Sequence, residues 1–88
     1  MEGKICLITG ANTGIGKATA EELARKGATI LMVCRNSKKG KLAKAEIIKK
    51  TGNNQVNLFI ADLASFTSVR EMAEHVISTY SRLDVLIN

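Results

Sequence analysis

Four short apolar runs, rich in β-branched residues, recur along this 88-residue chain: Ile5–Ile8, Thr29–Cys34, Val56–Ala61 and Val85–Ile87. Each is apolar almost without a break, where a half-buried strand would alternate with polar residues. Strands of this kind need both faces covered, which is the pattern of a parallel sheet lying under helices.

The segments between the runs have helical character. From about Ile15 to Lys26, residues Ile15, Thr19 and Leu23 stand four apart with Ala18, Ala20 and Ala24 beside them, and Gly27 marks the end. From about Ser37 to Lys50, Leu42, Ala45 and Ile48 recur at a spacing of three, and Thr51-Gly52-Asn53-Asn54 closes the segment. The third helix starts near Ser65 or Ser68, where Ser68 and Glu71 have the spacing of a capping box, and places Val69, Met72, Ala73, Val76 and Tyr80 on one face. The order is therefore β-α-β-α-β-α-β. With right-handed crossovers it predicts an α/β fold of the doubly wound, Rossmann type, ending after its fourth strand and organised as one domain over residues 1–88.

The run Thr9-Gly10-Ala11-Asn12-Thr13-Gly14-Ile15-Gly16 falls directly between the first strand and the first helix. Gly10 suits a sharp turn out of the strand, Gly14 a close approach of a pyrophosphate, and Gly16 tight packing of the helix on the sheet. The free N–H groups at the helix start, with the positive end of its dipole, then face phosphate oxygens. An ordinary strand-to-helix turn is the alternative, but packing alone does not call for three glycines in eight residues.

The spacing G-x-x-x-G-x-G resembles the TGxxxGxG motif of the short-chain dehydrogenases/reductases, and the similarity extends along the whole chain. Asp62-Leu63 matches that family's adenine-side aspartate. Leu86-Ile87-Asn88 matches the approach to its NNAG segment, with Asn88 as the first asparagine. Ile8–Lys17 followed by Cys34-Arg35-Asn36 resembles the retinol-dehydrogenase-like branch. The resemblance implies a nicotinamide dinucleotide lying along Gly10, Asn12, Thr13, Gly14, Ile15 and Gly16. It also implies contacts from Arg35, Asn36, Asp62, Leu63 and Asn88.

The choice of dinucleotide rests on the end of the second strand. An acid there suits the ribose 2′-hydroxyl of NAD, and a cation suits the 2′-phosphate of NADP. The resembled NAD users carry Asp where this chain has Cys34, and Arg35 follows at once, with Lys38 and Lys39 near. A guanidinium makes paired, charge-assisted bonds to phosphate, so NADP is expected over NAD. A solvated strand-end arginine is the other reading of Arg35, and a helix-start acid the other reading of Asp62.

The net charge of +5 and the six lysines between Lys38 and Lys50 fit a solvated helix face or attraction of a phosphorylated ligand. Nucleic acid is not expected as a partner, because aromatic residues are only 3% of the chain and offer no stacking platform. Cys6 and Cys34 each sit inside an apolar run, which reads as two buried free thiols with no metal site. There is no bilayer-length apolar stretch and no leader-like start, so the expectation is a soluble, cytoplasmic protein without a membrane segment.

Catalysis in the resembled family uses a Ser, an Asn and a Tyr-x-x-x-Lys pair. Here the single tyrosine, Tyr80, falls on the apolar face of the third helix and is followed four residues later by Asp84. Tyr80 and Met72 read as core and His75 as surface, so no catalytic residue is assigned and the chain alone is expected to be inactive. Three functions compete. The first is the NADP-binding front of an oxidoreductase acting on an alcohol or carbonyl substrate that only a completed protein would bind. The second is a standalone dinucleotide module, and the third a basic interaction protein. An unpaired last strand also raises self-association.

Overall fold

Residues 2–12 and 14–87 are described by the structure, a computed structural model. Seven elements follow one another: β1 (Ile5–Thr9), α1 (Gly14–Arg25), β2 (Thr29–Cys34), α2 (Ser37–Thr51), β3 (Val56–Ile60), α3 (Phe66–Thr79) and β4 (Val85–Ile87). The expected order is observed, with β1 one residue longer than its apolar run and β3 one residue shorter. All strand pairs are parallel and the sheet order is β3-β2-β1-β4. This is the doubly wound arrangement, because the chain runs outward from β1 to β3 and then crosses back to place β4 on β1's other side.

Alternation along each strand divides the core in two. On one face Cys6, Ile8, Ile30, Met32 and Val56 meet Ala20 and Ala24 of α1 and Ala43 and Ile47 of α2. On the other, Leu7, Leu31 and Val33 meet Val76 of α3, with Phe59, Met72 and Tyr80 packed alongside. The second face carries one helix where the first carries two. Consequently Ile77, Leu83 and Leu86 remain largely exposed around β4.

Two helix faces differ from expectation. In α2 the buried row is Gly40, Ala43 and Ile47, while Leu42 is 60% exposed and Ala45 lies outside. The cause is steric. A Cβ on Gly40 would stand 2.9 Å from Leu58 Cδ1, so α2 has settled on its smallest row to approach β3 closely. In α1 the expected packing residues Ala20 and Ala24 are buried and Leu23 packs against the core, but Ile15 is 87% exposed.

The start of α3 is also settled. Ser65 is its N-cap and accepts a hydrogen bond from the Ser68 N–H at 3.2 Å. Ser68 therefore lies within the first turn and forms no capping box with Glu71. Its hydroxyl accepts instead from the Asp62 N–H at 2.8 Å, tying the β3–α3 loop to the helix.

One side chain locks the far end of the sheet. Asn53 Nδ2 donates to the carbonyls of Ala24 at 2.9 Å and Ala28 at 2.8 Å, fastening the α2–β3 turn onto the α1–β2 turn. Between the helices, Lys17 pairs with Glu46, and Lys50 with Glu21 at 3.5 Å. The Lys17 ammonium bonded to Glu46 holds that carboxyl below its ordinary range.

Candidate dinucleotide site

The carboxyl ends of β1, β2 and β3 converge on one rim, the location where open α/β sheets bind ligands. Gly10 follows β1 with φ +65° and Gly14 opens α1 with φ +57°, both in the left-handed region that glycine enters without steric cost. At neither position does an added Cβ meet an atom within 4 Å, so the loop's outer side is open. Gly16 answers a different need. A Cβ there would lie 2.5 Å from the Gly10 carbonyl oxygen, so its smallness serves the loop folding on itself instead of the expected helix-to-sheet contact.

The loop is tied to β2. The Gly10 N–H donates to the Val33 carbonyl at 3.0 Å. Burial pushes the Cys34 thiol up, with the nearby backbone N–H groups of Ala11 and Asn12 acting in the opposite direction. Cys6 is likewise free and buried, and burial raises its thiol too.

Gly10, Asn12, Val33, Cys34, Arg35, Ala61, Asp62, Leu63 and Ala64 line a cavity of about 300 Å³. Five of the residues expected at a cofactor site (Gly10, Asn12, Arg35, Asp62 and Leu63) therefore share one concavity. Gly14, Ile15 and Gly16 continue the loop into α1 beside it. Arg35 is exposed and forms no ion pair among the described residues. Asp62 is half-buried and aimed. Its Oδ1 accepts from the Ala64 N–H at 3.0 Å, leaving Oδ2 without a hydrogen bond among the described residues. Asp62 stands three residues before the Ser65 cap, so it does not cap α3.

Asn36 is placed differently from its expected role. Its Oδ1 accepts from the Lys39 N–H at 2.9 Å as the N-cap of α2, and the residue does not line the cavity. Thr13 and Asn88 lie outside the described residues. Nearby, the Thr9 hydroxyl donates to the Ile87 carbonyl at 3.5 Å, linking β1 to β4 at the rim.

The remaining expectations concern single side chains. Tyr80 packs in the α3 core, where its hydroxyl accepts from Asn57 Nδ2 at 2.8 Å, and Met72 lies beside it. His75 is exposed, with its ring edge-on to Phe59 at 5.4 Å. No helix among the described residues is long and apolar enough to cross a membrane.

The glycine loop, the paired rim residues and the sheet order coincide with what is found in known proteins. The family model for short chain dehydrogenase matches residues 4–88. The chain is 44% identical over 88 residues to dehydrogenase/reductase SDR family member 13 of Homo sapiens, covering 100% of this chain and 23% of that protein. It is 49% identical over 86 residues to retinol dehydrogenase 13 of Homo sapiens, covering 98% of this chain and 26% of that protein. Among solved structures, a short chain dehydrogenase from Shigella flexneri 2a str. 301, complexed with NADP, superposes with a TM-score of 0.88. Its sequence identity is 36%, over 100% of this chain and 38% of that one. The chain spans about a quarter of the length of these curated relatives. On this evidence it belongs to the short chain dehydrogenase family and resembles its retinol dehydrogenase branch.

Proposed function

We propose that the chain is the NADP-binding front of a short-chain oxidoreductase that passes hydride between NADP(H) and an alcohol or carbonyl compound. One observation carries the reading. The cavity of about 300 Å³ has the glycine loop on one side and Asp62-Leu63 on the other, with an unpaired Arg35 on its wall and Cys34 where a carboxylate would favour NAD. NADP, when bound, supplies the hydride chemistry. The N–H groups at the start of α1 receive its pyrophosphate, and Arg35 holds the 2′-phosphate by paired charge-assisted bonds. Asp62 accepts from the adenine amino group and the Leu63 backbone serves the ring edge. Asn36 supports the site indirectly, by capping the helix that follows Arg35.

The same reading takes residues 1–88 as one partial dinucleotide-binding domain, with the substrate bound only by a completed protein. Two free, buried cysteines accord with a reducing compartment and hence a cytoplasmic location. Self-association goes with the exposed Ile77, Leu83 and Leu86.

Calorimetric titration of NADP and NAD at fixed low salt tests the assignment. NADP is expected to bind more tightly by roughly ten- to a hundred-fold, the worth of one charge-assisted pair. Arg35→Ala removes that margin and leaves NAD unchanged. Adding Cys34→Asp reverses the order, since the new carboxylate accepts from the ribose 2′-hydroxyl of NAD and repels the 2′-phosphate of NADP. Equal affinity of the parent for both dinucleotides, or an equal loss of both on Arg35→Ala, refutes it.

A further inference from the structure

A second concavity lies away from the dinucleotide rim. It measures about 480 Å³ and runs along the open edge of β3, between Lys41 and Lys44 of α2 and His75 and Thr79 of α3. Among the described residues β3 ends the sheet and pairs only with β2. Successive residues of a strand turn their N–H and C=O groups to opposite sides. The Gln55 carbonyl and the Ala61 N–H bond to β2, so the odd-numbered residues face inward. Val56, Leu58 and Ile60 therefore present their backbone groups to the groove, where no other described residue bonds to them. Lys41 and Lys44 form no ion pair with any described acid.

We infer that this edge is a docking site for an extended acidic peptide segment of a partner protein, which adds as a strand to β3. Backbone pairing with Val56, Leu58 and Ile60 supplies affinity for an extended chain, as in other strand additions. Charge selects which chain. A second copy of this net +5 protein, docked edge to edge, would set Lys41 and Lys44 against the same lysines. An acidic segment turns that repulsion into attraction. The groove also offers apolar purchase, since Leu58 is half-buried and Ile60 is 47% exposed at the strand's end.

The probe is a fluorescein-labelled heptapeptide of alternating glutamate and valine, read by anisotropy and by hydrogen exchange of the protein's amides. It is expected to bind saturably, to protect the Leu58 and Ile60 amides, and to leave the Gly10–Gly16 amides unchanged. Lys41→Glu with Lys44→Glu should weaken binding about tenfold, because two exposed charge pairs become repulsive. N-methylation of alternate peptide residues, which removes the pairing N–H groups without touching the protein, should abolish it. Equal binding of the methylated peptide would overturn the proposal by showing attraction to a charged surface only. Equal binding of an alternating lysine–valine peptide, no binding at all, or protein dimers formed through the β3 edge would overturn it as well.

Discussion

The Asp84 carboxylate accepts the Ile5 N–H at 2.8 Å, while the Asp84 N–H donates to the Ile5 carbonyl at 2.9 Å. One residue before β4 thus closes a reciprocal pair with the first residue of β1. Arg82 holds the arrangement from outside, donating to the carboxylate at 3.1 Å and to the Gly3 carbonyl. The Ile5 N–H, with Arg82 behind it, draws the Asp84 carboxyl below its ordinary value of 3.8.

A lowered carboxylate pKa gives a signed expectation for stability. The contribution of Asp84 is fully present above its ordinary pKa of 3.8 and is lost as pH falls from there through the lower folded value. Asp84→Asn should therefore lower the urea midpoint at neutral pH, and the difference from the parent should close in acid. A difference that stays constant between neutral pH and pH below 3.8 would show that the carboxylate's charge is immaterial.

Gly16 and Gly10 oppose each other across 2.5 Å once a Cβ is placed on the former. The obstacle is a backbone carbonyl, which cannot rotate away as a side chain can. Gly16→Ala should cost about 1–3 kcal/mol by overpacking and weaken both dinucleotides alike, because the shared pyrophosphate loop is displaced. Denaturant unfolding and titration of each cofactor check this. An unchanged midpoint would mean that the loop has room to yield.

Ile47 is fully buried and Leu42 is 60% exposed, although both are large aliphatics on α2. Truncating Ile47 to Ala should cost about 2–5 kcal/mol, and Leu42→Ala should stay within about 0.5 kcal/mol. Equal losses would place the packed face of α2 elsewhere.

Turnover is the fourth expectation. Purified as these 88 residues, the protein should not oxidise NADPH in the presence of aldehydes or ketones, because the residue four after its one tyrosine is Asp84 and not the lysine that would help that tyrosine move a proton. Tyr80, the one tyrosine, is committed to Asn57 in the α3 core. Steady consumption above a buffer blank would contradict it.

Much of this architecture is legible in the chain itself. Uninterrupted apolar runs require covering on both faces, and helical spacing between them leaves a parallel sheet as the arrangement that supplies it. Gly10, Gly14 and Gly16 at a strand-to-helix junction, with Arg35 and Asp62 after the next two strands, point to one rim because the carboxyl ends of parallel strands share a side. Those conclusions follow from local periodicity and chain direction.

Tertiary structure alone decided which row of each helix is buried. Rows of spacing three and four coexist on every helix, and the burial of Gly40-Ala43-Ile47 in place of Leu42 and Ala45 goes with how closely β3 approaches. It alone decided that Asn36 caps α2 and that Asp84 clasps Ile5 across 79 positions of sequence. Hydrogen bonds of that kind depend on where distant backbone groups come to rest. A residue's letter states what it can donate or accept, and only the folded chain determines which partner stands within reach.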